Sequence, residues 1–471
     1  MNPWPYVRHR PPIIQREFRG ENRLDPLSIS PEYATETRNF TSSAYPALTV
    51  RPGHSVIGEI TNAKVLGMGV WKDTELHAVF SDGTWRRWTG SIWSNPLASG
   101  LNTTAKWSFC NFKGNLGDFN LLGANGIDAV KKYDGSTVSN LSGAPANANF
   151  IDEHDNRLYC VTNGTQVHFS ELSVATNWTA IEQSDSDPGS FIKEINSGKK
   201  ISGMKAGAGH ITVFFTSASF ELYGTSASDF RMIEVAPDIG MLNNESSALL
   251  DGILYFISER GFYRYGGGSR PDKGFSAPMQ WYIDNMNKAA RQTCCAGTDG
   301  KRVYFAIPMY SATPDTIIEF TPEYGTWYVW RDVAPSCFAR MGDNWYIGDN
   351  AGRLLQIGGA NDNGSAIAWK WISKPFSAQS MSQVIRWLRA WISAKIPAGS
   401  AMNVYLSKSA EGDDDWTLVQ NIPATGWISS KPMYIRSSVA VNAHFIRLKI
   451  EGTGPMKLHE FAREEDYLPL R

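Results

Sequence analysis

The sequence is poor in the features that usually announce chemistry. It has five cysteines, Cys110, Cys160, Cys294, Cys295 and Cys337, an odd number at irregular spacing with no C-x-x-C. Adjacent Cys294 and Cys295 cannot readily ligate one metal through both sulfurs or close an ordinary disulfide. The pattern therefore predicts small apolar core residues made in a reducing compartment. No apolar run exceeds the length of a strand, which excludes a helical membrane span. The formal net charge is −1, which lacks the basic excess of a general nucleic-acid binder and argues against non-specific duplex binding through the whole surface. The eight histidines, His9, His54, His77, His154, His168, His210, His444 and His459, include no H-x-H and no H-E-x-x-H. They read as surface or core residues, because nothing gathers them into a metal or Ser-His-Asp site. The first twelve residues (MNPWPYVRHRPP) are basic and lack an apolar h-region, which predicts no secretory leader.

What the chain has instead is a recurring unit. A β-rich run ends in a turn and is followed by a second run ending in aromatics. Copies occur at residues 76–88 (LHAVFSDGTWRRW), 119–133, 157–169, 211–223, 253–265 and 345–357, with a longer version at 302–330. Asp82-Gly83, Asn163-Gly164, Asp299-Gly300 and Asp349-Asn350 supply residues that tolerate the positive φ of tight hairpin turns. The spacing of about 40–50 residues is that of a four-stranded propeller blade. The composition, 42% hydrophobic and 19% charged, is globular.

Three regions follow. Residues 1–50 are rich in proline and arginine and predict an extended N-terminal arm. Residues 51–365 carry the hairpins and predict a β-propeller of seven blades, or six if the terminal hairpins are shared. Residues 366–471 lose the blade spacing and predict an antiparallel β-sandwich. Within them, residues 384–395 (VIRWLRAWISAK) fit a strand better than the alternative amphipathic helix, and residues 403–420 fit a hairpin. Residues 172–200 and 224–249 are long and polar and predict surface loops. One helix is expected at 279–292. The fold class is thus all-β.

Candidate chemical sites are weak. The acidic run at 411–415 (EGDDD) offers carboxylates for a hard cation but lacks EF-hand spacing, and reads as a solvated turn. Residues 81–85 (SDGTW) resemble the Asp-box turns of sialidase-type propellers, with the wrong spacing. Gly266-Gly267-Gly268 has no following G-K-[ST] and reads as a loop. No catalytic, cofactor-binding or metal-binding residue is assigned, and a non-enzymatic chain is expected. The most informative polar group is in the arm, where Arg8, Arg10, Arg16 and Arg19 interleave with Trp4, Tyr6 and Phe18. Arginine and aromatic residues anchor interfaces, so these seven predict docking onto a neighbouring subunit or partner. A WD40 scaffold is disfavoured, since Gly-His occurs at 53–54 and 209–210 but no Trp-Asp dipeptide does. A carbohydrate-binding or glycan-cleaving propeller is the alternative, suggested by 17 tryptophans that could stack on sugar rings, although core and blade packing accounts for them better, because tryptophan is largely buried on average.

The order of segments resembles one family. Residues 22–26 (NRLDP), Asn39-Phe40 and residues 48–53 (LTVRPG) precede the hairpins. Ser170-Glu171-Leu172, then Asn177-Trp178, then residues 201–204, lead to Phe220-Glu221-Leu222-Tyr223, and strands near 406–416 and 445–450 close the chain. This resembles the tail hub or nozzle proteins of short-tailed bacteriophages, the packaged-DNA stabilisation proteins. The resemblance implies a virion structural protein, made in the host cytoplasm and resident in the tail. It implies a homo-oligomeric ring, typically of six subunits, below the portal and its adaptor. Its implied partners are the adaptor, a tail fibre or tailspike, a tail needle or plug, and genomic DNA that passes through the lumen during ejection without specific binding. No cofactor is implied, and no functional residue carries over, because the family's role lies in surfaces.

Overall fold

The computed structural model describes residues 11–469 except 182–183, 196, 208, 225, 227, 379, 413–414, 423–426 and 436–441, and only the backbone of 427–435. It is all-β, built from many small antiparallel sheets. The chain divides into two compact units, Met1–His54 with Glu319–Arg331 and Gly358–Arg471, and Ser55–Ile318 with Asp332–Ile357. This division differs from the three-part reading of the sequence: the first fifty residues share a unit with the C-terminal region.

In the larger unit, successive meanders begin with Val65–Trp71, Ser108–Phe112, Asn149–His154, Ile201–Gly207, Ser247–Leu250, Cys295–Thr298 and Pro335–Met341. Each leading strand adjoins the next, Ile201–Gly207 through the turn Asn244–Ser246 that opens the fifth meander, and Pro335–Met341 returns to lie beside Val65–Trp71. The last meander, with Asn344–Asp349 and Arg353–Ile357, is completed by His54–Glu59 from the start of the chain. Second strands are buried almost throughout, as in Arg157–Thr162, His210–Phe215 and Val303–Ile307. They pack between neighbouring sheets, with apolar residues from two sheets in each cluster; Tyr159, Val161 and Phe169 meet Ile211, Val213 and Phe220 in one of them. A strand covered on both faces reads as a continuous apolar run, which is why these hairpins are legible in the sequence. Most described tryptophans are core residues, among them Trp85, Trp107, Trp327, Trp345 and Trp371, and Trp85 stacks edge-on against Trp107 and Phe109.

The expected surface loops contain short outer strands. Gly189–Ile192 pairs with Gln166–Phe169, and Arg231–Ala236 pairs with Ser219–Tyr223. Both are edge strands in which only one residue is fully buried, so their composition is close to that of a loop. Arg157 ties down part of the first of these segments. Its buried guanidinium donates to the carbonyls of Ser170 (2.7 Å), Asp187 (3.0 Å) and Asp185 and faces the Phe169 and Phe230 rings. Arg157→Met is expected to cost about 2–3 kcal/mol in urea unfolding, the usual worth of charge-assisted hydrogen bonds, and to open residues 184–188 to proteolysis. The expected helix at 279–292 is a six-residue α-helix, Gln280–Asn285, between 3-10 turns Gly274–Met279 and Lys288–Thr293.

In the smaller unit, one sheet runs Phe40–Thr41, Leu48–Val50, Lys457–Pro469, Gln383–Ile396, Trp427–Ile435, with Ile13–Gln15 also on Lys457–Pro469. The other runs Ala34–Arg38, Ala368–Ser373, Phe445–Thr453, Ala401–Ser407, Thr417–Ile422, with Phe376–Ser377 on Phe445–Thr453. Apolar residues of both sheets form a single core, including Phe40, Trp369, Trp371, Trp387, Ile450 and Phe461. Gln383–Ile396 is a strand, and Ala401–Ser407 pairs with Thr417–Ile422 as the expected hairpin. A register shift between Trp387 and Arg389 throws Leu388 outward, which explains why this segment also fits a helical period.

Residues 11–50 are therefore not a free arm. Ile13 pairs with Arg463, Ala34 with Ser373 and Leu48 with Leu458. Prolines keep the segment extended, and an extended segment can be a strand as readily as a tether.

Candidate functional site

Of the seven residues expected to dock onto a partner, Trp4, Tyr6, Arg8 and Arg10 lie outside the described residues. Phe18 is 0% exposed, edge-on to Trp371 with centroids 6.0 Å apart, and its carbonyl accepts from the Tyr328 hydroxyl (2.9 Å). The expectation that its ring anchors a neighbour is corrected: an apolar ring flanked by alternating exposed residues faces its own core. Arg16, 71% exposed, places Nε 2.7 Å from Glu460. Arg19 donates to Glu17 (2.7 Å), which also accepts from the Tyr45 hydroxyl. Those hydrogen bonds, Tyr45 first and Arg19 second, hold the Glu17 carboxyl below its usual range. Tyr45 stacks on Tyr324 at 4.4 Å. Arg16 and Arg19 thus present charge at the surface, where ion pairs are screened and worth little to stability.

The same unit contains a buried polar knot that the sequence does not announce. Arg51 is buried, and its guanidinium grips Asp362 through Nη1 (2.9 Å) and Nη2 (2.6 Å). Nε donates to Asn39 Oδ1 (2.9 Å), and the plane lies 5.5 Å from the Trp330 ring. Asn39, at φ 63°, also accepts from the Arg331 amide (2.8 Å) and donates to the Ala368 carbonyl (2.7 Å). His54 Nδ1 stands 3.0 Å from Asp362. Burial alone would raise the Asp362 carboxyl, but hydrogen bonds from His54 and Arg51 hold it at about 2. Nearby, Glu319 Oε1 accepts from Thr41 (2.9 Å) and from the amide (2.9 Å) and hydroxyl (3.0 Å) of Ser42. Glu21 Oε2 accepts from the Thr37 amide (2.6 Å) and hydroxyl (2.9 Å). These carboxylates fasten the N-terminal segment to its neighbours.

In the larger unit the leading strands surround a cavity of about 280 Å³ reached by Asn111, Lys205, Asn244 and Glu245. Cys295 and Cys337 line it, but burial raises both thiols, as it does Cys110 and Cys160, and it pushes Cys294 up to about 12. The cysteines are thus poor nucleophiles near neutrality, in keeping with core packing. Glu221 is buried and accepts from the hydroxyls of Tyr223 and Tyr265 and from the Gly268 amide (3.0 Å), with His210 Nε2 at 3.2 Å. Burial acts to raise this carboxyl, but the two tyrosines and Gly268 bring it below its usual range. The glycine triplet is a loop, and its amide holds this carboxylate; only glycine places that amide there comfortably, at φ 91° and 68° for Gly267 and Gly268.

A second cavity of about 560 Å³ opens beside the first meander, with Glu75, Arg87, Trp88, Met341, Tyr346 and Gln356 on its walls. Arg87 Nη1 lies 3.3 Å from Glu75 Oε1 and 3.4 Å from Oε2, and Glu75 accepts from Tyr133 (3.1 Å). His77 behind it is lowered to about 3, by burial first and the Arg87 charge second.

The two weak motifs resolve into turn chemistry. Asp82 Oδ1 accepts from the Thr84 amide (3.0 Å) and hydroxyl (2.6 Å). Asp413 and Asp414 lie outside the described residues. Asp415 accepts from Ser407 (2.6 Å), the Lys408 amide (3.0 Å) and Ser409 (2.8 Å), while Arg447 donates to the Gly412 carbonyl. The turn is organised by its own donors and faced by a cation.

No family model matches the sequence, and no curated protein matches it significantly. Solved structures with similar arrangements share little sequence. The Pan2 WD40 domain of Neurospora crassa is 7% identical, with a TM-score of 0.44, over 65% of this chain and 96% of that one. YCF48 bound to D1 peptide is 11% identical, with a TM-score of 0.43, over 66% and 97%. The designed protein Ika8 is 8% identical, with a TM-score of 0.39, over 64% and 99%.

Proposed function

We propose that the larger unit is a seven-bladed β-propeller, the smaller a β-sandwich, and the chain a subunit of the tail nozzle of a short-tailed bacteriophage. Support for the blade number is the closed order of seven leading strands and the completion of the last meander by His54–Glu59. Support for the sandwich is the single core shared by two sheets.

The observation that carries the functional reading is where the family-like segments lie. Asn39, Phe40, Leu48 and Arg51 are the buried residues that join the N-terminal segment to the hairpin 319–331 and to strand Phe445–Thr453 and its neighbours. At Gly53 a Cβ would sit 2.0 Å from the Asn361 carbonyl oxygen. The likeness therefore falls on residues that set the architecture, as it should for a protein whose task is shape. Stiff sheet-rich wedges with loops on two faces suit repeated side-by-side contacts. A closed ring of identical subunits needs a heterologous interface whose rotation closes. A near-neutral chain avoids the phosphate neutralisation that would arrest DNA in a channel.

Co-sedimentation tests this reading. Purified chain mixed with adaptor-bearing, tailless capsids is expected to pellet with them at about six copies per portal vertex, the number a sixfold ring requires. Chain that stays in the supernatant at micromolar concentration contradicts the proposal.

A further inference from the structure

The 560 Å³ cavity has a composition that the nozzle reading does not use. Its size is that of a small-molecule site. Its walls present several side-chain donors with no acceptor among the described residues. Arg87 engages Glu75 and the Tyr133 hydroxyl (3.4 Å) through Nη1 alone, so its Nε and Nη2 have no acceptor among the described residues. The Trp88 indole nitrogen and the Tyr346 hydroxyl likewise have none among those residues. The hydroxyls of Thr74 and Thr89 are already committed, to the carbonyls of Trp71 (3.2 Å) and Ile92 (2.7 Å). Besides hydroxyl oxygens and main-chain carbonyls, the side-chain acceptors on the wall are the Glu75 carboxylate and the Gln356 oxygen, whose amide nitrogen donates to Asn344 (2.9 Å).

The aromatic wall is held in place. Trp88 packs edge-on against Trp93 with centroids 5.4 Å apart. A Cβ at Gly58 would stand 2.6 Å from the Trp88 ring, so glycine there lets the indole lie against the strand. Glu75 is fixed from the other side by Tyr133, with His77 Nε2 3.5 Å away. The donors therefore meet a ligand with little further ordering, which favours binding.

We infer that this cavity binds an acidic sugar, a hexuronate residue, its carboxylate paired with Nε and Nη2 of Arg87 and its ring against Trp88. The Arg87 fork matches a carboxylate in a two-point contact. Glu75 and the Gln356 oxygen accept ring hydroxyls, and the Tyr346 and Trp88 donors meet ring or hydroxyl oxygens. An acidic peptide also satisfies the Arg87 fork, but its amide donors are spread along a chain, whereas the vicinal hydroxyls of one sugar ring lie close enough to meet Glu75 and the Gln356 oxygen together, which favours the sugar. The inference is independent of ring assembly, because the cavity lies within one subunit.

Saturation-transfer NMR and calorimetry on the full chain test it with methyl glucuronide, methyl galacturonide, methyl glucoside and N-acetyl-aspartate. Binding of at least one uronide, with the glucoside silent and the aspartate not competing, is the expected result. Arg87→Gln should weaken uronide binding by about 10- to 100-fold, and Tyr346→Phe by about 2- to 10-fold, as loss of a charged and a neutral hydrogen bond would. Tyr346→Phe keeps the ring in place and guards against a folding defect in the Arg87 variant. Silence from both uronides, equal binding of the glucoside, displacement by N-acetyl-aspartate, or unchanged affinity in both variants overturns the inference.

Discussion

Replacing Arg51 with methionine is expected to destabilise the smaller unit by about 3–5 kcal/mol, the usual cost of breaking a buried ion pair from one side. The guanidinium holds two oxygens of Asp362, the Asn39 side chain and the Arg331 and Pro52 carbonyls at once. Removing it leaves Asp362 ionised with His54 as its one remaining side-chain partner among the described residues, and leaves Asn39 with one donor fewer at a strained φ. Lysine would keep the charge but not the planar fork, so Arg51→Lys should recover little. Hydrogen exchange of Leu48–Val50 and Phe40–Thr41 is the direct readout, since the two units need not unfold together. The pair also has a pH signature. The folded carboxyl is held at about 2, below the roughly 3.9 of an unfolded chain, so its stabilisation is fully present above about pH 4. It is lost as pH falls through about 2, and the Arg51 variant should lack that acid-side slope.

Phe18→Ala is the second change with a large expected effect, about 3–5 kcal/mol, as for other buried aromatic truncations. The ring lies inside the core with Trp371 and Tyr328, on a segment that pairs at Ile13–Gln15 and Ala34–Arg38 with strands from the far end of the chain. Urea unfolding followed by far-UV circular dichroism should show the loss. A tethering arm would tolerate the same substitution with no change in stability and a defect only in partner binding, so the experiment separates the two roles. Arg16→Ala and Arg19→Ala should leave stability within about 0.5 kcal/mol, because exposed ion pairs contribute little.

The difference between Phe18 and its arginine neighbours shows what a sequence makes legible. Strands such as His210–Phe215 and Val303–Ile307 announce themselves, because burial on both faces demands an unbroken apolar run. Arg231–Ala236 is as much a strand, but exposure of one face and one edge leaves it with the composition of a loop. Ile13–Gln15 and Ala34–Arg38 find partners more than 300 residues away, and no local pattern encodes such a partner. The Arg51–Asp362 pair is invisible for the same reason: nothing near either residue in the sequence points to the other, and only the fold brings them to 2.6 Å. Glu75 and Arg87 sit on strands of one hairpin whose register is readable, yet the cavity beside them is completed by Tyr346 and Gln356 from the last meander. The alternation in Gln383–Ile396 is ambiguous for a local reason, the bulge that turns Leu388 outward.

Averaged electron-microscope images of the chain assembled on adaptor-bearing portals test the central claim most directly. A closed sixfold ring below the adaptor is expected, each subunit showing a wedge of radiating sheets around a channel wide enough for duplex DNA. An adaptor that remains bare, or subunits attached singly around its periphery with no continuous channel, would contradict it.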